Sequence, residues 1–66
     1  MNFLLNGARV AREDAQNIAE LIERLALAPE TTLVEQNGVA LHRRAWPNEK
    51  LREGDRIEIL RVSAGG

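Results

Sequence analysis

The chain has 66 residues, nine basic and ten acidic side chains for a formal net charge of −1, and no cysteine. That length makes one domain near the lower limit for a single unstapled core, burying about 60% of the surface its unfolded chain exposes. Without cysteine there is no disulfide framework and no thiol nucleophile, and His42 alone cannot assemble a zinc or transition-metal site. The charge balance gives no basic footprint for nucleic acid, and two aromatics, Phe3 and Trp46, are too few for a base-stacking platform. A hydrophobic share of 44% suits a globular chain. No apolar run approaches a membrane span or the core of a signal peptide. The expectation is a cytoplasmic protein with neither nucleic acid nor membrane among its partners.

Residues 1–5 are apolar-rich and read as a first strand, with Phe3 and Leu5 on one face and Leu4 on the other. Asn6-Gly7 follows at once, and Asn-Gly is the strongest short-range hairpin signal. Residues 8–12 then form the return strand with Val10 inward. Residues 13–16 are polar and break the pattern. Asn17 is the expected N-cap, with Glu20 three positions on as a variant capping box. Ile18, Leu21, Ile22 and Leu25 fall at i, i+3, i+4 and i+7, the stripe of a helix docked on a sheet. Ala28-Pro29 is expected to end that helix, since the residue before proline is pushed out of the α region.

Residues 31–36 read as a third strand, Asn37-Gly38 as a second hairpin turn and residues 39–41 as its return. Residues 42–48 are expected to be irregular, with Trp46 plugging the core at the sheet's edge and Pro47 preventing a continuing helix. His42, Arg43 and Arg44 read as solvated surface, against the alternative of a basic patch for an acidic partner. Glu53-Gly54-Asp55 is a turn. Residues 56–62 are the most regular strand, with Ile57 and Ile59 facing one side and Glu58, Leu60 and Val62 the other.

One helix and about five short strands close a core only if the helix covers one face of the sheet. Burial on the helix side makes the first and last strands the central pair, parallel, with the helix inside the crossover. The expected class is therefore α+β: a β-grasp, ubiquitin-like roll over residues 1–62, followed by a flexible tail at 63–66.

That tail, Ser63-Ala64-Gly65-Gly66, carries the chemistry the rest of the chain lacks. Glycine pairs lose much entropy on ordering, but bare backbone can thread a narrow channel and present a terminal carboxylate. Elsewhere, Ser63 is the sole serine and has no positioned base, so a nucleophilic triad is absent. The glycines form no phosphate loop, and the acidic residues show no acid/base pair. Catalysis by the chain itself is not expected. Leu60 and Val62, apolar on the face away from the helix, are candidates for docking an activating partner, against the alternative that they pack on Leu4 or the irregular segment.

Four stretches resemble the ThiS family of bacterial thiamine-biosynthesis sulfur carriers. They are Asn37-Gly38; Arg43-Arg44-Ala45-Trp46; Leu51-Arg52-Glu53-Gly54-Asp55-Arg56-Ile57-Glu58-Ile59; and Val62-Ser63-Ala64-Gly65-Gly66. The likeness extends through Phe3-Leu4-Leu5-Asn6-Gly7 and the helix stripe. It implies that Gly66 is adenylated by a ThiF-type enzyme using ATP, while the chain itself binds no cofactor and no metal. The acyl adenylate would become a thiocarboxylate, with sulfur drawn ultimately from a cysteine desulfurase and passed to a ThiG-type thiazole synthase. Gly65 and Ala64 would be the part of the tail that threads the channel. Relatives of the same fold and ending serve molybdopterin, cysteine or tRNA thiolation, or modify lysines; the compact length favours thiamine. A binding module with an incidental diglycine remains the third alternative.

Overall fold

A computed structural model of the chain describes residues 1–63, so the expected threading segment, Ala64, Gly65 and Gly66, lies outside the described residues. Strands β1 (Asn2–Leu5) and β2 (Ala8–Ala11) form the first hairpin, and α1 (Ile18–Arg24) follows. A second hairpin joins β3 (Thr32–Gln36) to β4 (Val39–Leu41), and β5 (Arg56–Arg61) closes the fold. The sheet order is β2-β1-β5-β3-β4, with β1 parallel to β5 and every other pair antiparallel. This is the β-grasp arrangement that the pattern implied, with the parallel pair flanked by the two hairpins.

Both hairpins turn on Asn-Gly because that pair tolerates positive φ at both central positions, as a type I′ turn requires. The observed φ values are 50° and 82° at Asn6-Gly7, and 53° and 84° at Asn37-Gly38. The core sits between the sheet and α1. Ile18, Leu21 and Ile22 from the helix meet Phe3, Val34 and Ile57 from the strands, with Ala15, Trp46 and Leu51 from the connections. Each aliphatic side chain buried this completely is worth about 1.5–3 kcal/mol.

The helix begins as its cap predicts: the Glu20 backbone N–H donates to Asn17 Oδ1 at 2.8 Å. The box closes differently, because Glu20 Oε1 accepts from the Gln16 backbone N–H at 2.8 Å instead of returning to Asn17. The helix also stops earlier than Ala28-Pro29. Leu25 is the C-cap, and Ala26 turns left-handed at φ 58°. Ala26 N–H then donates to Glu23 O at 3.0 Å and Leu27 N–H to Ile22 O at 3.2 Å. That bond pair is a Schellman motif, which satisfies carbonyls orphaned at the helix end. Pro29 instead opens a short 3₁₀ turn, Pro29–Thr31, so β3 starts one residue later than expected.

The stretch expected to be irregular is a 3₁₀ helix, Arg43–Asn48, with Pro47 inside it. A 3₁₀ segment needs few bonds, and Ala45 N–H to His42 O at 2.9 Å and Glu49 N–H to Trp46 O at 3.2 Å supply its two turns. Pro47, lacking an N–H, falls between them. The helix packs on α1, and Trp46 is buried in the core as expected. His42, Arg43 and Arg44 are exposed, as the surface reading expected.

The left-handed Ala26 yields a direct prediction. A non-glycine residue in this conformation costs about 1–2 kcal/mol, and glycine relieves it at an entropic cost of about 0.5–1 kcal/mol. Ala26→Gly is therefore expected to raise Tm by about 2–6 °C in thermal unfolding. An unchanged or lower Tm would show that Ala26 carries no strain.

Candidate functional site

The last strand is the element from which the chain continues towards its diglycine, and it is held from both sides. Its register with β3 runs unbroken from Gln36↔Ile57 to Thr32↔Arg61. On that side Asn37 N–H donates to Arg56 O at 2.8 Å, and Val62 N–H donates to Thr31 O at 2.8 Å. On the other side β1 contributes only Leu4↔Arg56 and Leu5↔Ile57. There Leu4 N–H reaches Asp55 O at 2.9 Å and Asn6 N–H reaches Ile57 O at 2.8 Å.

The turn asparagines complete the grip. Asn6 Oδ1 accepts the Ile59 backbone N–H at 2.7 Å, and Asn37 Oδ1 accepts the Arg56 backbone N–H at 2.8 Å. Each hairpin tip thus does more than reverse the chain: its side chain mimics one more residue of ladder on β5. Asn37 Nδ2 also donates to Asp55 Oδ1 at 3.0 Å.

Asp55 is buried at the entry to β5. Its Oδ2 accepts from Arg52 N–H at 2.8 Å and from Gln36 Nε2 at 3.0 Å, while Gln36 Nε2 also donates to Lys50 O at 2.8 Å. Burial pushes the Asp55 carboxyl up. The hydrogen bonds from Asn37, Arg52 and Gln36, with the nearby Arg52 charge, outweigh it and hold the group below its usual value.

The face of β5 away from the helix is apolar and open. Leu60 is 62% exposed, Val62 42% and Leu33 56%, and Leu33 lies directly across from Leu60. The two sequence-derived docking candidates therefore stand together in solvent instead of packing on Leu4 or on the Arg43–Asn48 segment. Beside them Glu35 and Glu58 face each other across the same strands. Like charges directly opposite destabilise a sheet, and no cation within salt-bridge distance offsets them among the described residues. No group of three or more His, Cys, Asp or Glu is placed to hold a metal ion among the described residues. Nor is any described helix long and apolar enough to cross a membrane.

The sequence model of the ThiS family matches residues 3–66 of this chain. The chain belongs to the ThiS family. It is 35% identical to the thiamine biosynthesis protein ThiS of Geobacter metallireducens, whose crystal structure superposes with a TM-score of 0.84 and full coverage of both chains. A solution structure of a thiamine biosynthesis protein from the same organism gives a TM-score of 0.81 at 35% identity, covering all of this chain and 88% of the other. No curated protein matched. The ThiS match extends through the terminal glycines, which lie beyond the described residues.

Sequence reasoning expected Leu60 and Val62 on the outer face, where both are exposed, but did not single out Leu33, the side-chain roles of Asn6 and Asn37, or the Asp55 network. Leu33 was reachable, because its alternation with buried Thr32 and Val34 places it on the outer face. The polar network was not, since it joins the 36–37 turn to residues 50–55, which only the fold brings together.

The network is testable. Asp55→Ala leaves Asn37 Nδ2 and the Arg52 N–H without their acceptor, and is expected to cost about 2–3 kcal/mol in denaturant unfolding at neutral pH. A depressed folded-state pKa adds stability above the ordinary carboxyl value of 3.8 and loses it as pH falls through the folded value. The gap between wild type and variant is therefore expected to shrink below about pH 4. A gap that stays constant into strong acid would contradict an ionised Asp55.

Proposed function

We propose that this chain is a sulfur carrier of thiamine biosynthesis, and that the carboxylate of Gly66 is its reacting group. The observation that carries the reading is the ThiS-family match running through Gly66 on a chain whose described residues contain no catalytic constellation. A carboxylate resists nucleophiles, because its charge repels them and oxide is a poor leaving group. A ThiF-type enzyme would join the Gly66 carboxylate to the α-phosphorus of ATP, forming an acyl adenylate and releasing pyrophosphate. The terminal sulfur of a persulfide charged by a cysteine desulfurase would then displace AMP, and a thiol would reduce the resulting acyl disulfide, leaving a disulfide and releasing the thiocarboxylate for a ThiG-type thiazole synthase. Gly65 and Ala64 suit this role, since small residues leave the carbonyl unhindered and admit the tail to a narrow channel.

The carrier would dock through the outer face of β5. Val62 and Leu60 supply an apolar contact one and three residues before the tail, with Leu33 across from Leu60, and all three are exposed. Docking there fixes the strand from which the tail departs. The chain itself would hold no cofactor, with ATP bound by its partner.

Intact-protein mass spectrometry tests the reading. After incubation with ATP, a ThiF-type enzyme and a sulfur source, the wild-type chain is expected to gain the mass of one oxygen replaced by sulfur, localised to Gly66. A chain extended by one residue beyond Gly66 is expected to gain nothing. An unchanged wild-type mass beside an enzyme active on another carrier, or equal sulfur loading of the extended chain, would overturn it.

A further inference from the structure

The two edges of β5 are unequally occupied, and the difference falls where the strand leaves the fold. Backbone groups of Arg56, Glu58, Leu60 and Val62 face β3, and those of Asp55, Ile57, Ile59 and Arg61 face β1, as the alternation of a ladder requires. The β3 side is paired as far as the Val62 N–H. The β1 side stops early, because β1 ends at Leu5 and the chain reverses at Asn6-Gly7. Asn6 Oδ1 takes the Ile59 N–H, and that is the last partner on this edge among the described residues. The Ile59 carbonyl and the Arg61 N–H and carbonyl have no hydrogen-bond partner among the described residues, and they lie past the end of β1, directly upstream of the tail.

Open edges of this kind are usually blunted by proline, a bulge or a covering loop. Here the β3–β5 register is continuous and no proline lies in β5. The lane is too short to drive self-association, yet it offers donor and acceptor groups at the two-residue spacing that recognises an extended peptide. Leu60 projects beside it on the outer face. We infer that this edge receives an extended segment of the adenylating enzyme, paired to Ile59 and Arg61 through backbone hydrogen bonds, so that the partner adds a strand in line with β1 and grips the chain immediately before the tail. The inference rests on the carrier reading and adds to it a contact that side-chain docking at Leu60 and Val62 does not require.

Amide hydrogen exchange on the labelled full chain, with and without the adenylating enzyme and ATP, reads this contact directly. In the free chain the Arg61 N–H is expected to exchange rapidly while Leu60 and Val62 are protected by β3; on binding, Arg61 gains protection. A semisynthetic chain whose Arg61 amide N–H is replaced by an ester oxygen keeps its side chain, while the Leu60 carbonyl, now an ester, becomes a weaker acceptor towards β3. Measured well below its slightly lowered Tm, it is expected to bind about five-fold more weakly. Binding and adenylation without protection at Arg61 would overturn the added strand and leave the carrier reading standing. Absence of both binding and adenylation would overturn the two together. Protection of Arg61 that rises with chain concentration alone would assign the edge to a second copy, against the inference.

Discussion

The parallel pairing of β1 with β5 is the constraint on which the rest of the molecule depends. Parallel neighbours cannot be joined by a tight turn, so a crossover must separate them. Here the whole chain between Leu5 and Arg56 serves as that crossover, carrying β2, α1, the second hairpin and the 3₁₀ helix. The pairing itself is short, only Leu4↔Arg56 and Leu5↔Ile57. It holds because fully buried Ile57 is locked beneath α1 with Ile18, Leu21 and Ile22, and because Asn6 extends the ladder with its own side chain. Removing the apolar face of β5 would therefore cost both the core and the central pair.

Polar contacts fix what burial alone would leave loose. Hydrophobic packing sets which face of β5 is inward, but it is indifferent to small slips of the connection that leads into the strand. Asp55 removes that freedom by tying the 50–52 stretch, the end of β3 and the second turn to one carboxylate. The consequence reaches function: β5 enters the sheet at a fixed register, so the residue at which the chain departs is fixed too. The outer face of the same strand exposes Leu60 and Val62, with Leu33 across from Leu60.

Much of this was legible because local chemistry and fold agreed. Asn-Gly twice demanded a type I′ hairpin and formed one, and the Ile18-Leu21-Ile22 stripe named the buried helix face. The alternation of Ile57 and Ile59 with Glu58 and Leu60 gave β5 its two sides. The errors fell where one residue type stood in for another. Helix α1 ends at a left-handed Ala26 where glycine is the usual signal, so Pro29 drew the boundary too late. Pro47 suggested a break, yet a 3₁₀ helix tolerates it between two turns. Asp55, following Gly54 in a turn, looked like a solvated acid; only tertiary structure brings Gln36 and Asn37 to it. The importance of the diglycine was suggested by access arguments and strengthened by the family resemblance, because no packing pattern distinguishes a working tail from any other chain end.

On the carrier reading, the free carboxylate of Gly66 is the group on which chemistry occurs. ATP–pyrophosphate exchange catalysed by a ThiF-type enzyme tests it most directly, comparing the natural chain with one ending in a Gly66 carboxamide. The two differ by a single functional group and share the fold, the docking face and the edge of β5. Exchange is expected to depend on the carboxylate chain and to stay at background with the carboxamide, although the carboxamide still competes for the enzyme. Equal exchange with both chains would contradict it, placing the activated group elsewhere.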